Sequence, residues 1–350
     1  MKVLLTGHDG YIGAVMAPAL CAAGHEVVGL DSFLFEQCGF GAPPAPLPAL
    51  RRDLRDVRAQ DLVGFDAVIH LAAISNDPLG DLNPACTWEI NHRASLRLAE
   101  LAKAAGVSRF LYSSSCSVYG AASPDDILDE TAAFRPVTAY AESKVRVELD
   151  VAPLADDRFS PTFLRNATVY GVSPRLRGDL VVNNLAGWAF STGRVHLKSD
   201  GTPWRPLVHV QDVCQAFLRV LEAPRERVHA QAFNVGRDGE NYRIREVAEA
   251  VRDAVPGSRL DYAEGAGPDP RCYRVDFGKL ARSLPDFAPR WTVPLGVREL
   301  LDAFRAIGLR REDLEGDRYL RIQHIRRLLA ENRLDGDLRW RAPAASARAG

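Results

Sequence analysis

Tyr140 and Lys144 stand four residues apart in Ala139-Tyr140-Ala141-Glu142-Ser143-Lys144. A helix stacks such a pair on one face, one turn apart. A phenol with a pKa near ~10 is a poor base at neutral pH, and a neighbouring ammonium lowers that value. The spacing therefore predicts proton transfer at a hydroxyl-bearing carbon, with Tyr140 as the acid–base and Lys144 as the charge that tunes it. Ser115 lies in Tyr112-Ser-Ser-Ser-Cys-Ser-Val-Tyr-Gly120, at the end of a strand-type run, and is suited to hydrogen-bond the reacting oxygen. A serine-rich strand end also reads as a turn, so Ser115 gains its meaning from Tyr140 and Lys144.

Oxidising such a carbon needs a hydride acceptor, and the N-terminus offers a place for one. Thr6-Gly7-His8-Asp9-Gly10-Tyr11-Ile12-Gly13 joins a strand-type run, Val3–Thr6, to a helical pattern over residues 11–23. The diphosphate of a dinucleotide needs bare backbone N–H groups at a helix N-terminus, which Gly7, Gly10 and Gly13 would leave clear. Asp31 follows about twenty residues later, at the end of a second strand, where a carboxylate accepts from both ribose hydroxyls. The same charge repels a 2′-phosphate, so NAD is expected rather than NADP. A positive nicotinamide ring would help Lys144 lower the tyrosine, and Lys144 would hold the nicotinamide ribose. Asp53 and Leu54 stand at the height of an adenine contact, although Arg55 and Asp56 beside them also fit a solvated loop.

These residues need a scaffold. Strands are predicted at Val3–Thr6, Glu26–Leu30, Ala67–Leu71 and Arg109–Tyr112, with an amphipathic helix over Trp88–Ala105 between the last two. Strands alternating with helices imply right-handed crossovers and a parallel sheet covered on both faces. The expected fold is α/β: a doubly wound Rossmann sheet followed by a smaller mixed α/β lobe. The expected division is 1–165 for the nucleotide-binding domain with Ser115, Tyr140 and Lys144, 166–341 for the substrate lobe, and 342–350 for a frayed tail. Phe33–Pro48, rich in Gly and Pro, reads as a surface loop. In the lobe, Ile244–Val255 reads as a helix. Tyr319–Leu334 reads as an amphipathic helix with Leu320, Ile325, Leu328 and Leu329 on one side and arginines on the other, either docked on the body or offered to a partner.

Composition fits a globular enzyme: 350 residues, 47% hydrophobic and 25% charged, with a net charge of −1 that recruits neither nucleic acid nor a membrane. No apolar run approaches the roughly 18 residues of a membrane span. The opening Met1-Lys2-Val3-Leu4-Leu5 begins like a signal peptide, but the glycine-rich turn interrupts it. The six cysteines, at 21, 38, 86, 116, 214 and 272, lack the clustering of metal or disulfide frameworks. Reduced thiols, a cytoplasmic location and no metal are expected.

Taken together, Thr-Gly-x-x-Gly-x-x-Gly, His70-Leu71-Ala72-Ala73, Ser113–Gly120 and Tyr140-x-x-x-Lys144 are similar to the extended short-chain dehydrogenase/reductase family, over residues 1 to about 310. That family contains nucleotide-sugar epimerases, dehydratases, decarboxylases and ketoreductases. The resemblance implies NAD(P) on the Rossmann domain and a sugar nucleotide between it and the lobe. It implies cofactor contacts at Leu71, Ala72, Ala73 and Asn91, and substrate contacts at Asn184 and Leu185. Arg205 and Arg271 resemble the arginines that bind the nucleotide's phosphates, for which a guanidinium fork is suited. Thr168 stands where the family usually has Asn. The family's dehydratases carry an acid–base pair after the catalytic Thr/Ser, and its decarboxylases a Glu; this chain has Cys116-Ser117. The resemblance thus implies an NAD-dependent nucleotide-sugar epimerase, at C4 through a 4-keto intermediate. A 4-ketosugar reductase is the alternative, a dehydratase less so, and a non-catalytic NAD(P) sensor is remote. Cys116 stays open as a base, because a nearby cation lowers a thiol's pKa. A homodimer is expected through helices at about 85–105 and 138–156.

Overall fold

The structure, a computed structural model, describes residues 1–75, 80, 82–121, 123, 125–197, 199–263, 267 and 271–341. Its centre is a parallel sheet built on β1 (Lys2–Thr6), β2 (Glu26–Asp31), β3 (Ala49–Arg51), β4 (Ala67–His70) and β5 (Arg109–Ser115). Across the sheet the order is Ala232–Val235, Ser160–Asn166, β5, β4, β1, β2, β3, all neighbours parallel. Side chains alternate along each strand, and here both faces are apolar because both are covered. Val3, Leu5 and Ile69 face Met16 and Leu20 of α1 (Gly13–Ala22), together with Phe217 and Val220 of the helix Val210–Glu222. Leu4, Val68 and Phe110 face Leu98, Ala102, Val147 and Val151. The strand order reverses between β1 and β4, and ligands of such sheets bind outside the carboxyl ends at that switch.

The structure departs from the sequence reading in several places. β5 continues past Tyr112 to Ser115. The helix expected over Trp88–Ala105 starts earlier, at Pro84, and runs to Ala104 with a π turn inside it over Glu89–Arg93. Residues after 165 do not all leave the first layer, since Ala232–Val235 returns to pair with Ser160–Asn166. The Phe33–Pro48 segment is not wholly superficial: Cys38 and Phe40 are buried, and Phe40 packs edge-on against Phe304 and Tyr319 of the lobe.

The lobe has a three-stranded sheet, Asn241–Arg243, Trp204–His209 and Thr168–Tyr170, and a two-stranded one, Arg194–Leu197 with Arg259–Tyr262. Its core packs the helices Val181–Thr192, Ile244–Ala254 and Val293–Ile307 around Leu185, Leu207, Val251 and Leu300. The C-terminal helix is shorter than expected, Arg321–Ala330, and it is docked: Ile325 and Leu328 are buried with Ile74, Cys86, Leu334 and Leu338. Its arginines do not all face out, because Arg321 is buried. The tail expected to fray, 342–350, lies outside the described residues. Among those described, no helix is long and apolar enough to cross a membrane.

Candidate active site

A cleft of about 1060 Å³ opens at the carboxyl ends of the sheet, against the lobe. Gly7, Gly10, Tyr11, Ile12 and Gly13 line one end. Gly7 has φ +73°, and a Cβ there would stand 2.7 Å from the Ala72 nitrogen, so the turn can pass β4 only as glycine. A Cβ on Gly13 would meet the Gly7 carbonyl at 2.2 Å. α1 begins with no side-chain cap and no acidic residue in its first turn, so no carboxylate there repels an anion from the helix N-terminus. Tyr11 itself reaches across to the lobe, its hydroxyl donating to the Gly171 carbonyl at 2.7 Å.

Asp31 lines the same end, its carboxylate accepting from the Phe33 and Asp9 amides at 2.8 and 3.1 Å. Burial raises its carboxyl above the ordinary value, with the Phe33 amide opposing. Asp53 and Leu54 also line the cleft, but the Asp53 carboxylate is occupied with the Arg55 guanidinium and amide. Burial alone would raise that carboxyl, and the Arg55 bonds overcome it and hold it low. Leu71, Ala72 and Ala73 form the floor. Asn91 does not line the cleft. Set in the π turn, it is buried, accepting from the Ile74 amide at 2.7 Å and donating to the Ile74 carbonyl at 2.9 Å and to Ser143 Oγ at 3.3 Å. These bonds tie the π turn to the segment after Ala73 and to the helix that carries Ser143.

Ser115, Tyr140 and Lys144 all line the cleft. Tyr140 and Lys144 share the helix Ala139–Val151, which Thr138 caps by accepting from the Ala141 amide. Lys144 Nζ donates to the Ser113 carbonyl at 2.7 Å and lies 5.6 Å from the Tyr140 ring centre. Burial draws the Lys144 ammonium from 10.5 down to about 7, with Glu148 opposing. Glu148, one turn further on, accepts from Ser114 Oγ and pairs with Arg165 at 2.7 Å, both side chains almost fully buried. Arg165 also donates to the Tyr119 hydroxyl at 3.0 Å, which donates to Asn234 at 2.7 Å. Neither Glu148 nor Arg165 figures in the sequence reading. The available signal was the continued period, 140, 144, 148.

The neighbours of Ser115 part company. Cys116 is not on the cleft: it is 1% exposed, its thiol donates to the Arg165 carbonyl at 3.1 Å, and burial pushes that thiol well up. This overturns Cys116 as a candidate base. Ser117 does line the cleft, with a buried hydroxyl that has no protein partner, and its amide donates to Ser115 Oγ at 3.1 Å. Asn166, also on the wall, donates to Ser113 Oγ at 3.0 Å.

Thr168, Asn184, Leu185, Arg205 and Arg271 line the lobe side. Asn184 donates to the Gly178 carbonyl at 2.7 Å, and Arg205 to the carbonyls of Trp204 and Arg271. Two charged residues there are absent from the sequence reading: Arg177 pairs with Asp179 at 2.7 Å and donates to Ser75 Oγ at 3.1 Å. The C-terminal segment adds Leu320, Arg321, Gln323 and Ile325.

The arrangement accommodates a dinucleotide at the glycine turn and Asp31, a proton-transfer group in the middle, and an anionic ligand towards Arg205 and Arg271. The sequence profile of the NAD dependent epimerase/dehydratase family matches residues 3–236. A UDP-glucose 4-epimerase of Corynebacterium glutamicum is 29% identical over 271 residues, 73% of this chain and 80% of that protein. UDP-glucuronic acid decarboxylase 4 of Arabidopsis thaliana is 25% identical over 324 residues, 89% of this chain and 71% of that one. Among solved structures, MoeE5 in complex with UDP-glucose and NAD is 28% identical, with a TM-score of 0.74 over 88% of this chain and 99% of that one.

Proposed function

The chain belongs to the NAD-dependent epimerase/dehydratase family, and from that premise we propose that it inverts C4 of a nucleotide sugar through a 4-keto intermediate. Relatives include 4-epimerases and decarboxylases, so membership alone leaves the reaction open. The observation that carries the reading is the wall beside Ser115. Elimination needs an acid and a base next to that serine, and here one neighbour is a core thiol and the other a hydroxyl.

NAD, when bound, supplies the acceptor and later donor of the C4 hydride. Tyr140 takes the C4 hydroxyl proton as the carbon is oxidised and gives it back on return. The Lys144 ammonium favours the tyrosinate, and Ser115 hydrogen-bonds the C4 oxygen in both directions. Arg205 and Arg271 hold the diphosphate, leaving the sugar to present either face. Thr168 faces that sugar, smaller than an Asn and able both to donate and to accept.

The test is an incubation of the purified protein with UDP-glucose or UDP-glucuronic acid in heavy water, read by NMR. Expected is C4 inversion with no deuterium at C4, C5 or C6, since the hydride never mixes with solvent. Deuterium at C5 would move the assignment to a dehydratase or a 5-epimerase. A net demand for reduced cofactor would move it to the 4-ketosugar reductase. We also infer a homodimer through the helices around 85–105 and 138–156, where Leu149 is 51% exposed. A monomer by light scattering at micromolar concentration would refute that.

A further inference from the structure

The C-terminal segment crosses the cofactor end of the cleft and is buckled to the loops that follow Asp31 and Asp53. Trp340 Nε1 donates to the Ser32 carbonyl at 2.6 Å, His324 Nε2 to the Leu34 carbonyl at 3.0 Å, and Arg55 to the Asp337 carbonyl at 2.9 Å. Arg339 pairs with Asp56 at 2.6 Å. The segment lies wholly beyond residue 236, where the family match ends.

One side chain of this segment stands apart. Arg321 lines the cleft yet is only 4% exposed. Its Nη2 donates to the Arg175 carbonyl at 3.0 Å, and its guanidinium lies 4.1 Å from the Phe35 ring centre. Its Nη1 is buried and makes no full hydrogen bond within the protein, the Cys38 thiol beside the guanidinium being only a weak partner. A buried, unmade guanidinium bond is costly unless a ligand completes it. Burial draws Arg321 down to about 10, so it stays charged at neutral pH.

Position selects the ligand. Arg175, on which Arg321 leans, pairs at 2.6 Å with Asp9, inside the Gly7–Gly13 turn. Phe35 is four residues past Asp31. Other cations on the cleft are engaged or elsewhere: Arg52 with Asp61, Arg177 with Asp179, Lys144 at the reacting end, Arg205 and Arg271 on the lobe. Asp179 offsets one of the charges on Arg177 and Arg321, so that end of the cleft holds one further guanidinium charge besides the Asp31 carboxylate.

We propose that Arg321 is a cofactor-binding residue, its Nη1 donating to the diphosphate of NAD on the glycine turn, with residues 319–341 strapping that side of the cofactor in place. The proposal rests on the NAD dependence of the family and is independent of the reaction. A sugar nucleotide also carries a diphosphate, so the test separates the two. Full-length wild-type and Arg321→Met proteins are titrated calorimetrically with NAD, ADP-ribose, adenosine and UDP. Expected is a loss of at least about tenfold in affinity for NAD and ADP-ribose, the scale of a charge-assisted bond, with adenosine and UDP unchanged. Unchanged NAD and ADP-ribose affinity overturns the proposal. So does an equal loss for adenosine, which would make the role one of packing, and so does a loss confined to UDP, which would give Arg321 to the substrate. Should Arg321→Met not fold, hydrogen exchange on the wild type decides: NAD must protect amides 319–325 and UDP must not. No protection by NAD overturns the proposal.

Discussion

The two walls of the cleft treat charge in opposite ways. On the catalytic wall Lys144, Glu148 and Arg165 are satisfied by the protein itself, through Ser113, Ser114 and each other. On the C-terminal wall Arg321 keeps one donor buried and unmade. The charged groups of the first wall are settled before any ligand arrives, as fixed acid–base geometry requires, although the Ser117 hydroxyl there is unpartnered. The second is finished by its ligand, so its strain is relieved on binding. Changes on the first wall should therefore alter turnover or stability, and changes on the second should alter affinity.

The hardest blow to the first wall is Tyr140→Phe. It should fold, keep NAD and lose at least about a hundredfold in turnover, the usual scale of a positioned acid–base. Near-wild-type turnover would remove Tyr140 from the reaction. Glu148→Gln strikes the same wall from beneath by leaving Arg165 a buried, unpaired charge. Breaking such a pair costs on the order of 3 kcal/mol, so urea melts should show a drop of that size. A loss below about 1 kcal/mol, typical of an exposed pair, would mean the wall is not prearranged by this network.

Lys144 offers a test by pH. Its folded pKa, about 7, lies below its ordinary 10.5. Between those values the unfolded chain holds a proton that the native state has shed, so the contribution of this residue to stability rises with pH across that window. Lys144→Met should flatten the rise between pH 7 and 9 in urea melts. Equal slopes in variant and wild type would contradict it. At the ligand-dependent end, Asp31→Ala should weaken NAD and narrow its preference over NADP, as the repulsion with a 2′-phosphate disappears. A wild type that already prefers NADP would undo that reading. The smallest effect is expected at Cys116→Ala. The thiol donates into the core, so turnover should hold and stability fall by about 1 kcal/mol; a large loss of turnover would return Cys116 to the chemistry.

What was legible in the sequence was local. Gly7 and Gly13 announce a turn because a Cβ at either would clash with backbone, and Tyr140 and Lys144 announce a helix face because their spacing is its period. The buried runs of β1 and β4 declare a sheet covered on both sides. What was hidden depends on distant partners. Glu148 and Arg165 sit on different elements, and Arg321 meets Phe35 across nearly the whole chain. The bonds of Asn91 to the Ile74 backbone and to Ser143 were equally out of sight. Cys116 was weighed as a base by adjacency to Ser115, yet the turn that starts there carries its side chain into the core. Phe33–Pro48 looked superficial because Gly and Pro dominate it, while Phe40 decides where it goes.

The sheet's last strand carries a consequence for synthesis. Ala232–Val235 pairs with Ser160–Asn166 only after residues 167–231 have been made, and those include much of the lobe. Closing so long a loop costs entropy before the pairing repays it, so this edge joins late. Until then the nascent chain offers a bare strand flank to any passing partner. Throughout the translation of residues 167–235 that flank stays open.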